Sequence, residues 1–195
     1  MLQLTLIFTL VEKKKLRHSF KEQEIKKKVI FFLLERYENL IKEGKKIDFS
    51  VYNSLIVNKK ILNLLEVNTN GELLTNYVNS KEGKIFMSSI KRVINIINND
   101  LFKTQEIKRP KVSLLTTKEE LRLFELLNMP YKELSINNAL SYLNKLSLPI
   151  RNFFDNVTIK DKNITLRQNR INLLNMINKK VNQLTDFSMI IKGKE

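Results

Sequence analysis

Residues 149–188 read PIRNFFDNVTIKDKNITLRQNRINLLNMINKKVNQLTDFS, and their periodicity decides the fold class. After Thr165 the apolar residues Leu166, Leu173, Leu174, Ile177, Val181 and Leu184 recur at helical spacing, marking a stripe on a helix that runs to about Leu184. On a wheel of about 100° per residue, Arg170 falls inside that stripe and Arg167 at its edge. A guanidinium in a helix interface needs an acceptor, because an unpaired buried charge costs several kcal/mol. Asp155, in a Phe153-Phe154-Asp155 turn, is the expected partner, with Asp186 as the second candidate. Phe153 and Phe154 stand beside Ile150 and the extended, apolar Val157 and Ile159. Together they read as a hydrophobic plug, the alternative being a pair of rings that stack on unpaired bases.

Working outward, helical spacing dominates the rest of the chain and alternation is rare, so the fold class is all-α. Ile25, Val29, Phe32, Leu33, Tyr37, Leu40 and Ile41 give one long helix over 22–43, with Gly44 as its stop. Asp48 offers an N-cap for a helix to Ile56, and an apolar run over 59–67 ends at an expected break, Asn68-Thr69-Asn70-Gly71. Further helices are expected over 73–78 and 85–98. Lys103 to Ser113 is polar, basic and interrupted by Pro110, and it reads as the connector between two helical subdomains. Beyond it, Thr117-x-x-Glu120 fits a capping box for a helix to Asn128, and Ser135 can cap another to about Leu146, ended by Leu148-Pro149. The expected organisation is an N-terminal apolar and basic segment (1–21), a helical body (22–102), a connector (103–113) and a C-terminal helical domain (114–195).

The 195 residues carry 35 Lys and Arg against 20 Asp and Glu, a formal charge of +15. Such a field attracts polyanions, nucleic acid first among them. Heavy use of Lys, Asn and Ile also fits an AT-rich genome, which explains Lys in place of Arg better than it explains the excess of base over acid. The absence of cysteine excludes disulfides, thiolate zinc sites and cysteine nucleophiles. A single histidine, His18, has no second imidazole with which to build a metal site or a relay. Gly83-Lys84 lacks the earlier glycine of a phosphate loop, and the dispersed carboxylates show no metal-ligand spacing, so the reading assigns no catalytic residue, metal or cofactor to this chain. Leu2 to Val11 is too short to span a membrane and lacks a basic leader. The reading includes no membrane partner, and a surface coat through residues 2–17 is the alternative.

One helix face carries the candidate binding chemistry. Over residues 84–99, Phe86, Ile90, Val93, Ile94 and Ile97 share one side. Lys84, Ser88, Lys91, Arg92, Asn95 and Asn99 share a sector about 100° wide. Lys and Arg suit phosphates, and Asn suits phosphate, sugar or a base edge, so Lys84, Lys91, Arg92 and Asn95 are candidate RNA contacts; a merely solvated face is the alternative. On the last long helix, Arg167, Asn172 and Lys179 are expected to project toward RNA.

The order of these elements resembles the C-terminal part of the glycyl-tRNA synthetase beta subunit, which includes a DALR-like anticodon-binding domain. The resemblance rests on Phe153-Phe154-Asp155, Val157 and Ile159, then Leu166-Arg167-Gln168-Asn169-Arg170. Upstream it rests on Ser89-Ile90-Lys91-Arg92-Val93-Ile94-Asn95-Ile96-Ile97, Phe31-Phe32-Leu33-Leu34-Glu35-Arg36 and the stretch Asp48 to Ile56. Asn172, where a small apolar residue is usual, and Thr185 before Asp186, where alanine is common, depart from the family pattern.

The resemblance implies an anticodon-binding helical bundle that positions glycine tRNA for a separate alpha subunit, the expected carrier of ATP and magnesium. Arg167, Asn169 and Arg170 then belong to the anticodon-binding module, and Lys91, Arg92 and Asn95 to the body. It implies a cytoplasmic protein, or one of the stroma or matrix of an organelle with an AT-rich genome. The large N-terminal portion of such a subunit is missing, so the expectation is a fragment, a split product working with a separately encoded remainder, or a reduced form. A stand-alone basic helical protein that binds RNA or DNA is the alternative of a different class.

Overall fold

In the computed structural model, residues 19–44, 46–57, 64–98, 107–129 and 135–193 are described, and among them eight α-helices and one short 3-10 turn form an all-α fold. The helices are α1 (Ser19–Gly44), α2 (Phe49–Val57), α3 (Leu64–Asn79), α4 (Lys81–Ile97), α5 (Lys118–Asn128), α6 (Ile136–Asn156), α7 (Ile164–Val181) and α8 (Phe187–Lys192), with the 3-10 turn at Val112–Leu114. The expectations for residues 1–18, including His18, and for Lys59, Asn99, residues 103–106 and Pro130 lie outside the described residues.

The chain divides into two compact units, Met1–Thr75 and Asn76–Glu195. This differs from the boundary expected at 103–113. The reason is apolar: α4, assigned to the body by its position before the connector, packs on α6, α7 and α8. Phe86 of α4 meets Phe187 of α8 edge-on, with ring centroids 5.3 Å apart, and Ile90 and Val93 are fully buried. Burying side chains of this size contributes about 1.5–3 kcal/mol each.

In the first unit, Tyr52 packs against Tyr37 and Phe49 at centroid distances of 5.9 and 6.0 Å, and Lys42 lies 4.4 Å over the Phe49 ring. The break expected at Asn68–Gly71 does not occur, since α3 runs through it. Gly71 is inside the helix because Ile47 packs on it: a Cβ there would stand 2.9 Å from Ile47 Cδ1. Close approach of the Ile47 side chain, not a turn, is what glycine accommodates here.

In the second unit the chain turns sharply at Ser80. Its Oγ accepts from the Gly83 N–H (3.0 Å) and donates to the Tyr77 carbonyl (2.7 Å), capping α4. Downstream, α5 has the bounds that the capping box implies, but α6 does not end before Pro149. It continues to Asn156, so Phe153-Phe154-Asp155 is helix, not a turn. Proline removes one intrahelical bond and strains the preceding turn, at a cost of about 3 kcal/mol in a helix interior. Offsetting that cost, the continuation buries Ile150, Phe153 and Phe154. Ser135 stands at the N-cap of α6 without making a side-chain cap bond, whereas Asn163 caps α7 by accepting from the N–H groups of Thr165 (2.9 Å) and Leu166 (3.3 Å).

Candidate nucleic-acid interface

Five of the exposed residues on α4 form the candidate face: Lys84, Ser88, Lys91, Arg92 and Asn95. Its position follows from the apolar side of the same helix, which is buried and so turns the polar sector outward. Lys84, Ser88 and Arg92 line an open cleft of about 460 Å³ whose other wall is α6, through Arg151, Phe154 and Asp155. Three cations, Lys84, Arg92 and Arg151, and one carboxylate, Asp155, line it. Arg151 Nε is 3.7 Å from Asp155 Oδ2, a pair exposed to water on both sides. Arg92 lies 4.4 Å over the Phe154 ring, so the guanidinium is held against the cleft wall by an aromatic face. Phe154 itself is buried and packs on Phe153, centroids 5.6 Å apart. Both rings are core, as the plug reading has it.

The expected pairing of Arg170 with Asp155 is incorrect. Arg170 is buried, and its Nε donates to Glu120 Oε1 (2.7 Å), while Nη1 donates to Asp161 Oδ2 (2.6 Å) and the Thr158 carbonyl (2.9 Å). Asp155 sits on the outer face of α6, because the helix continues through it and leaves it a turn away from Arg151 on the surface. The second candidate, Asp186, accepts from the Ser188 N–H and hydroxyl and caps α8.

Glu120, which its spacing from Thr117 marks as a capping residue, has a second role. Its Oε2 accepts from the N–H groups of Thr116 (2.8 Å) and Thr117 (2.9 Å), closing the capping box, while its Oε1 takes Arg170. One fully buried carboxylate thus fixes the start of α5 and the middle of α7 together. Burial alone would push this carboxyl up, but the Arg170 hydrogen bond and those from Thr117 and Thr116 outweigh it and hold its pKa below the ordinary value. Asp161 is held low by the Asn163 N–H first and Arg170 second. For Arg170 burial works against the charge, and its bonds to Glu120 and Asp161 prevail and raise its pKa.

Asn172 is also corrected. It is buried, and its Oδ1 accepts from the Lys108 N–H (3.2 Å) and Gln168 Nε2 (3.3 Å), so it does not project toward RNA. One turn earlier, Asn169 accepts from the Lys111 N–H (2.7 Å) and donates to the Lys111 carbonyl (3.1 Å). The two amides strap the segment around Pro110 onto α7, satisfying backbone groups that have no helix of their own. Arg167 is half-buried and Lys179 exposed, about 18 Å apart along α7, so they do not form a single patch. Among the described residues no group of His, Cys, Asp or Glu could hold a metal ion, and no helix is long and apolar enough to cross a membrane.

Residues 86–187 match the family model of the DALR anticodon binding domain. Over 190 residues the chain is 27% identical to the glycine–tRNA ligase beta subunit of Thermodesulfovibrio yellowstonii, covering 93% of this chain and 27% of that protein. It is 31% identical over 154 residues to the protein of that name from Rickettsia typhi, covering 75% of this chain and 22% of the relative. With the one from Rickettsia bellii it shares 27% identity over 180 residues, 90% of this chain and 25% of the relative. The chain thus spans about a quarter of the length of these curated relatives.

Proposed function

The chain belongs to the DALR anticodon-binding domain family, and from that premise we propose that it binds transfer RNA as the anticodon-recognising part of a glycine–tRNA ligase beta subunit. One observation carries the reading: within the second unit, Lys84, Arg92 and Arg151 converge on an open cleft beside Ser88, on a helix whose opposite side is locked into the core. Cations held on a rigid element displace counterions from a phosphate backbone at little cost in ordering. The role is positional. The helical unit grips the tRNA and sets its placement, while ATP, magnesium and bond formation belong to a separate alpha subunit. The remainder of the beta subunit, on the same or another chain, completes the assembly, which acts in the cytoplasm or an organelle's translating compartment.

The test is filter binding of the purified chain to tRNA isoacceptors at 0.15 M salt, about the physiological ionic strength. Glycine tRNA is expected to bind more tightly than the others, and an added alpha subunit is expected to co-purify with the chain. Equal binding to every tRNA, to unrelated RNA and to DNA would point to the stand-alone nucleic-acid-binding reading instead.

A further inference from the structure

The exposed side of α6 carries more than Arg151. At about 100° per residue, Asn144, Leu148, Arg151, Asn152 and Asp155 fall within a sector about 100° wide, and all are exposed. Arg151 and Asp155 line the cleft against α4, whereas Asn144, Leu148 and Asn152 line a second open groove, of about 570 Å³, against α5. Lys118 and Arg122 of α5 and Lys145 of α6 stand around that groove, opposed by Glu119. Each depression therefore gathers three cations and one carboxylate, and the outer face of α6 is the ridge between them. Leu148, 61% exposed, stands on that ridge with Pro149 beside it, an apolar surface with amides on either side.

We propose that the groove between α5 and α6 is a second RNA-backbone site, so that one strand of the bound RNA crosses α6 from the Lys84–Arg92–Arg151 cleft into the Lys118–Arg122–Lys145 groove. The inference rests on the tRNA-binding reading above and adds to it a footprint on a different helix pair. Charge complementarity selects the occupant: phosphates meet Arg122 and Lys145, and the Asn144 and Asn152 amides face phosphate or ribose oxygens. Leu148 packs on a base or sugar as the strand passes over. The salt bridge of Arg122 Nη1 to Glu125 Oε2 is long, 3.7 Å, and exposed on both sides, so a phosphate competes with it at small cost.

The experiment compares two double variants of the full chain, Arg122→Ala with Lys145→Ala and Lys84→Ala with Arg92→Ala, using unfractionated tRNA as probe over a range of salt. Circular dichroism and thermal melting establish that each is folded, and Arg122→Glu with Lys145→Glu provides a stronger perturbation of the same groove. Each phosphate contact removed lowers the slope of log K against log salt by about 0.7–0.9. The Arg122/Lys145 variant is expected to lose between one and two such units of slope and roughly tenfold in affinity at 0.15 M salt, with a larger loss for charge reversal. Unchanged slope and affinity in both groove variants, with binding lost in the Lys84/Arg92 variant, would overturn the second site and leave the tRNA reading intact. Absence of tRNA binding by the unsubstituted chain would overturn both.

Discussion

At the scale of the residue, Glu120 and Arg170 are the pair on which the second unit depends. Removing either strips the other of its opposite buried charge and leaves it only its remaining bonds, Asp161 and Thr158 for Arg170 or the Thr116 and Thr117 N–H groups for Glu120, at a cost of up to about 3–5 kcal/mol. Arg170→Ala and Glu120→Ala should each lower unfolding free energy by that order in urea titrations, and a double-mutant cycle should show strong coupling. Asp155→Asn should stay within about 0.5 kcal/mol of the parent, as expected of an exposed residue whose ion pair is open to water. Acid titration reads the same network. The carboxyls of Glu120 and Asp161 lie below their ordinary values of 4.5 and 3.8, so in this range the folded chain binds fewer protons than the unfolded one. Their stabilisation is complete above those ordinary values and drains as pH falls through the lower folded ones. Melting temperature should therefore drop steeply below about pH 4.5, and Glu120→Gln should flatten part of that drop.

At the scale of the element, two glycines at helix boundaries predict opposite outcomes. A Cβ on Gly83 would stand 1.8 Å from the Tyr77 carbonyl oxygen and 2.6 Å from its carbon, so the α3–α4 corner exists only because residue 83 has no side chain. Gly83→Ala should cost about 2–4 kcal/mol by thermal melting, since backbone must move. Gly44, at the end of α1, has nothing within 4 Å of an added Cβ. Gly44→Ala should be neutral or stabilising by up to about 1 kcal/mol, through the unfolded state. Much of the element map was legible: α1, α2, α5 and α7 fall where periodicity and caps put them, because those signals are local. The continuity of α3 through Gly71 and of α6 through Pro149 was not legible. A glycine or proline marks a break in sequence unless packing from a distant residue offsets its local cost.

At the scale of the whole molecule, the charge of +15 makes affinity for any polyanion salt-dependent, and the proposed α4 face predicts where part of that dependence resides. Lys84→Ala with Arg92→Ala should lower the salt slope by about one to two units while the helical circular dichroism signal persists. Loss of the Arg92–Phe154 contact should itself lower stability by no more than about 1 kcal/mol. Affinity and slope equal to the parent would remove this face from the interface.

The amino-acid order alone determined the all-α class, the capping box at Thr117, the outward sector of α4 and the family, because each depends on residues a few positions apart or on a pattern along the chain. Tertiary structure decided which carboxylate meets Arg170, that Asn172 ties down a backbone N–H instead of facing RNA, and that Arg151 joins Lys84 and Arg92 around one cleft. Those outcomes depend on groups 50, 64 and 59–67 positions apart. Their proximity is set by how α4, α5, α6 and α7 pack, which no local spacing encodes.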